Sequence, residues 1–139
     1  MAEGTASIPG LSNIVAVTEG YGHSLALTAA GTVIGWGNNN YGQATPPAGL
    51  SNITAIAAGY YHSLALKKDG TVVGWGLNSD HQVSVLSGLS NVVAIAGGGY
   101  HSLARKNDGK LVAWGQNTYG QTNVPRGLAY VNAIAAGTY

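Results

Sequence analysis

Three His-Ser pairs are the residues of this chain best suited to chemistry: His23-Ser24, His62-Ser63 and His101-Ser102. A histidine beside a serine suggests an activated hydroxyl, and three histidines suggest a metal site. Nucleophilic catalysis, however, needs one Ser, one His and an orienting carboxylate converging on a pocket. Neighbours on a strand point to opposite faces of the sheet, so no Ser here can be served by the His beside it. Metal binding by His23, His62 and His101 would require all three to meet at one point, with no carboxylate ligand near them in sequence. The five acids, Glu3, Glu19, Asp69, Asp80 and Asp108, are scattered, and two of them fall in hairpin turns. No catalytic residue, metal or cofactor is expected. The pairs read as structural, through a hydrogen bond that ties adjacent strands.

The elements that position these pairs follow from a repeat. Gly10-Leu11-Ser12-Asn13-Ile14 returns as Gly49-Leu50-Ser51-Asn52-Ile53 and Gly88-Leu89-Ser90-Asn91-Val92, at a step of 39 residues. The His-Ser-Leu-Ala runs and the pairs Trp36-Gly37, Trp75-Gly76 and Trp114-Gly115 keep the same step. The units are 10–48, 49–87 and 88–126, with a partial fourth over 127–139, together one repeat domain. Within a unit the pattern is that of strands. In the second unit, Asn52 to Ala57 predicts strand A, Tyr61 to Lys67 strand B and Thr71 to Trp75 strand C. Lys67-Lys68-Asp69-Gly70 is the hairpin between B and C. A short piece ending in proline, such as Gln43-Ala44-Thr45-Pro46-Pro47, predicts an edge strand D. Four short strands in about 40 residues make a propeller blade. The fold class is therefore all-β, a β-propeller of four-stranded blades. The alanines of strand A suit the crowded region near the axis, and the tryptophans suit the gaps between neighbouring sheets.

Composition narrows the partners. Only 8% of the 139 residues are charged and the formal net charge is +1, so no long-range field draws the protein to nucleic acid or acidic lipid. There is no Cys, which removes disulfides and thiolate metal sites. The start, Met1 to Ala6, has neither a basic stretch nor an apolar run, and no segment has the length of a membrane helix. A soluble chain with no membrane partner is expected.

The run Gly59-Tyr60-Tyr61-His62-Ser63-Leu64-Ala65-Leu66-Lys67-Lys68-Asp69-Gly70-Thr71-Val72-Val73-Gly74-Trp75-Gly76, with Asn78 and Gln82 after it, resembles the regulator-of-chromosome-condensation repeat family. The short units and their proline-ended linkers are similar to its bacterial branch, which includes a propeller-type β-lactamase inhibitory protein. The resemblance implies a seven-bladed ring that binds another protein through its loops or one face. The nucleotide-exchange activity of the chromatin-bound member is not carried over, since none of its working residues can be matched here.

Binding residues are sought where the repeat is polar and aromatic, or where it breaks. The chain has 8 Tyr and no Phe, which suits half-wet surfaces. Tyr21, Tyr60, Tyr61 and Tyr100 fall at the A-to-B turns, where they could ring one face, although packing between blades is the simpler use. Asp80 and His81 replace the Tyr-Gly of Tyr41-Gly42 and Tyr119-Gly120, which suggests drift or a specific contact. Arg105 stands where the other units have Leu27 and Leu66, so the third blade should face something different. Counting from residue 5, the strands run D-A-B-C three times and then D-A, or about three and a half blades. Two chains would supply seven, so a homo-oligomer, first a dimer, is expected, with Arg105, Tyr130 and Tyr139 at its interface. The rival reading is an excised or engineered piece of a longer propeller. The function expected is a non-catalytic scaffold for protein interaction and self-assembly. The alternative is a lectin-like module gripping sugars with the Tyr and Asn of its turns.

Overall fold

Residues 13–117 and Thr122 are described by the computed structural model. Each unit folds where its β-branched and apolar runs lie between turns. The strands are β1 (Ile14–Glu19), β2 (His23–Thr28), β3 (Val33–Gly37), β4 (Ile53–Ala58), β5 (His62–Lys67), β6 (Val72–Gly76), β7 (Val92–Gly97), β8 (His101–Lys106) and β9 (Leu111–Gly115). They form three antiparallel sheets, β1-β2-β3, β4-β5-β6 and β7-β8-β9, as the A, B and C pattern predicts to within a residue or two. The hairpin between β5 and β6 closes on Gly70, at φ 86.

The fourth strand is a correction. Residues 43–47 form no strand, and each sheet has three strands among the described residues. Two backbone N–H groups of this segment are satisfied locally. Thr45 N–H donates to the Gly42 carbonyl at 3.1 Å, and Ala44 N–H to Asn39 Oδ1 at 2.8 Å. In the second unit Asn78 Oδ1 takes Val83 N–H at 2.9 Å in the same way. An Asn side chain thus substitutes for the neighbouring strand that D would have needed.

Three strands leave two faces to cover, and the sheets cover one another. Leu25 and Leu27 of the first sheet pack with Ile53, Ala65 and Trp75 of the second. Leu64, Leu66 and Val72 of the second pack with Val92, Ala104 and Trp114 of the third. A bulge makes this possible. Register shifts between Ile53 and Ala55, so that Ile53 faces the preceding sheet while Ala55 and Ala57 face the following one. The first strands of successive sheets lie against one another, β1 on β4 and β4 on β7, which places the small alanines where the sheets converge.

A polar node repeats in each seam. The Gln43 carbonyl accepts Ser63 Oγ–H at 2.8 Å and Trp75 Nε1–H at 2.9 Å. The Gln82 carbonyl accepts Ser102 and Trp114 at 2.8 and 2.9 Å. Since the Ser63 proton goes to Gln43, its oxygen receives Nε2–H of His23 at 3.0 Å, and Ser102 receives His62 at 3.1 Å. The His-Ser bond therefore ties adjacent sheets, not adjacent strands of one sheet. Each His reaches forward to the Ser of the next unit, because the two residues of a pair face opposite ways.

Ser63→Ala would leave the His23 donor unpaired where water is excluded, and the expected loss of stability is about 1–3 kcal/mol. Ser24→Ala, on a face with no described sheet before it, should stay within about 0.5 kcal/mol. Urea unfolding of the two variants checks this: equal losses would place the role of the serine within its own sheet.

Candidate functional site

The two ends of each sheet differ. The B-to-C hairpins occupy one end, while the A-to-B turns and the Asn-rich turns after strand C share the other. Close approach shapes the A-to-B turn. A Cβ on Gly59 would run into the His62 ring and the Gly98 carbonyl, so only glycine lets the imidazole lie in the seam. Successive turns are then joined through the backbone: Tyr21 N–H donates to the Tyr60 carbonyl at 3.1 Å, and Tyr60 N–H to the Gly99 carbonyl at 3.2 Å.

This pitch brings the tyrosines into one row. Ring centroids lie 5.3 Å apart for Tyr21–Tyr60, 5.8 Å for Tyr21–Tyr61, 6.2 Å for Tyr60–Tyr61 and 5.8 Å for Tyr60–Tyr100. Tyr41, which the sequence reading left out, joins at 5.6 Å from Tyr61, edge to face. Every tyrosine of the described residues is thus in the row. Tyr21 and Tyr41 are its open members, 62% and 51% exposed. Tyr41 escaped notice because it lies in the turn after strand C of the first unit, and only packing between units brings it to Tyr61.

Asp80 and His81 sit in the equivalent turn of the second unit. Asp80 N–H donates to Oε1 of buried Gln82 at 2.9 Å, as Tyr41 N–H does to Gln43. His81 is exposed and holds φ 64, where the first unit has Gly42. A side chain in that region carries a steric cost of roughly 1–2 kcal/mol. A second departure leaves a vacant bond. Gln43 Nε2 reaches Asn38 Oδ1 at 3.3 Å, but Leu77 replaces that Asn, and Gln82 Nε2 is buried without a partner among the described residues. Arg105 lies in β8 opposite Ala94 and Leu111, away from the tyrosines, and its Nε is buried with no partner among the described residues. Tyr130 and Tyr139 lie outside the described residues.

The histidines do not converge with an acid. Among the described residues, no group of three or more metal-capable side chains forms. Burial holds His62 down to about 4 from an ordinary 6.5, with the His101 backbone opposing and the neighbouring His101 and His23 adding to the fall. Burial likewise lowers His23 and His101. In His23 and His62 the node already uses the proton on Nε2, and the Nδ1 atoms of all three rings are buried with no hydrogen-bond partner among the described residues. A histidine whose folded value lies below its unfolded one costs stability as pH falls from about 6.5 to the folded value, then no more. For His62 the full loss is about 3 kcal/mol. Chemical unfolding across this range should show a decline below pH 6.5 that levels near 4. His62 ring signals that titrate near 6.5 in nuclear magnetic resonance would contradict it.

The family model of the regulator of chromosome condensation (RCC1) repeat matches residues 14–43, 53–82 and 92–121. Among solved structures, Prp20p from Saccharomyces cerevisiae, studied with its binding properties to Gsp1p and histones, is 28% identical over 86% of this chain and 35% of its own, with a TM-score of 0.72. Yeast RCC1 (Prp20) bound to Kap60 is 29% identical over 90% of this chain and 40% of its own, at 0.70. The ectodomain of the receptor kinase CR4 from Physcomitrella patens shares the fold, with a TM-score of 0.77 at 24% identity over 95% of this chain and 38% of its own. The chain thus spans well under half the length of these propellers. A search of curated protein sequences gives no match.

Proposed function

Because the chain belongs to the regulator of chromosome condensation (RCC1) repeat family, and is built as a β-propeller, we propose that it is a non-catalytic scaffold that holds a partner protein against the tyrosine-bearing end of its sheets. The observation that carries this reading is the continuous row of Tyr41, Tyr61, Tyr21, Tyr60 and Tyr100. Aromatic rings with polar tips are enriched where proteins meet, and a row held by neighbouring backbones is ordered before a partner arrives. Ser63 and Ser102, with the rings of His23 and His62, are occupied in the seams as structural bonds. Similar propellers bind proteins: Prp20p has been studied for its binding to Gsp1p and histones, and yeast RCC1 is seen bound to Kap60.

Replacing both open rings, Tyr21→Ser with Tyr41→Ser, should abolish cross-linking to a partner protein while leaving the unfolding midpoint within a few degrees. Specific capture on a glycan array, lost in the same variant and unaccompanied by any protein partner, would put the lectin reading in its place.

Self-assembly is the second part of the proposal. Val17 is 46% exposed on the first sheet, whereas its counterpart Ile56 packs against the preceding sheet. Arg105 marks the opposite side, at the position from which Leu66 meets the following sheet. Two copies that joined head to tail at both ends would cover both faces of each, and native mass spectrometry is expected to give a dimer. A stable monomer would sink this part and leave the binding row untouched.

A further inference from the structure

We infer that the tyrosine-bearing end takes a basic side chain, Lys or Arg, presented by the partner. This deepens the reading of that end as a protein-binding surface and rests on it.

The antiparallel strands sort the charges of the chain by end. All four lysines, Lys67, Lys68, Lys106 and Lys110, lie at the B-to-C hairpins together with Asp69 and Asp108. At the tyrosine end, the charged groups among the described residues are two carboxylates, Glu19 at the close of β1 and Asp80 in the turn after β6. Neither has a cationic partner among the described residues. The carboxylate of Asp80 receives only the Ser79 hydroxyl, at 3.4 Å. Although the net charge is +1, the described residues make this end locally acidic.

Aromatic faces carry negative potential, and a cation within about 6 Å of a ring centroid is attracted to it. Here the rings and an acid belong to one structural series. Asp80 holds in the second unit the place that Tyr41 holds in the first. Tyr41 lies against Tyr61, and the counterpart of Tyr61 in the next unit is Tyr100. The repeat thus sets Asp80 beside Tyr100, at the end of the row, as Tyr41 is set beside Tyr61. A Lys or Arg stem can lie along the rings while its charge meets the carboxylate, and Tyr hydroxyls can accept from a guanidinium. An acidic segment would be repelled. A sugar could stack on the rings but would have no need of the Asp80 charge.

The test is selection of a random displayed peptide library on the intact protein, followed by titration of the selected peptides in solution. Enriched peptides should carry Lys or Arg. Asp80→Asn should weaken them by about two- to fivefold, as should replacing their basic residue with norleucine or citrulline. The two losses should not add, and rising salt should erase most of the difference. Glu19→Gln, at an exposed position, serves as the second variant if Asp80→Asn lowers the unfolding midpoint. Peptides that depend on Tyr21 but contain no basic residue would overturn the inference and leave the protein-binding face standing. Peptides indifferent to Tyr21, Asp80 and Glu19, or no enrichment at all, would overturn both.

Discussion

A sheet of three short strands has two faces and cannot bury either alone. Everything else in this molecule answers that constraint. The apolar answer is to alternate leucines that point forward with alanines and a tryptophan that point back, so that Leu25 and Leu27 meet Ala65 and Trp75. That arrangement buries polar backbone as well, and the buried carbonyl of Gln43 would be costly if left bare. Ser63 and Trp75 both donate to it, and His23 completes the hydroxyl. The apolar and polar parts of the seam are inseparable, since the same strand supplies Leu25 and His23 forward while its partner supplies Ala65 and Ser63 back. The tyrosine row follows from the seam, because the turn that lets His62 into it also fixes the pitch at which Tyr21 and Tyr60 meet.

Much of this was legible in the sequence. The 39-residue step fixed the units, and three strands of each fall where the apolar runs and the Lys67-to-Gly70 hairpin place them. The role of the His-Ser pairs was legible as structural but not as to what they join. Adjacent residues suggest a local bond, whereas the contact spans 40 positions. The clue was present in the repetition itself: a pair whose members face opposite ways, copied at a constant step, can be joined only across a seam. Strand D was not legible, because proline and the strand-like look of Gln43 to Pro47 say nothing of where its backbone bonds go. Asn39 and Asn78 decide that, and an asparagine in a turn has several uses. Tyr21, Tyr60, Tyr61 and Tyr100 were legible as one set from their turns, while Tyr41 needed the packing of unit on unit.

The departures from the repeat are informative in different degrees. Leu77 has a plain consequence, a buried Gln82 amide nitrogen with no partner among the described residues. His81 keeps a backbone shape that the first unit gives to glycine, and it does so beside the acid that replaces Tyr41. Arg105 puts a cation where two leucines are buried, on the strand that faces onward from the third sheet.

The direction of the His-Ser bond has a consequence for how such a protein can grow. In both described seams the imidazole gives and the hydroxyl of the next unit receives, so the stack has a head and a tail. A contact of this kind joins unlike surfaces and has no twofold partner within itself. Any duplicated unit would find a ready complement on both sides, and the seam would be indifferent to how many units came before. Number is then set by the wedge angle between sheets alone: lineages built on such a seam can gain or lose whole units by recombination and still close, provided the angle adds up to a turn.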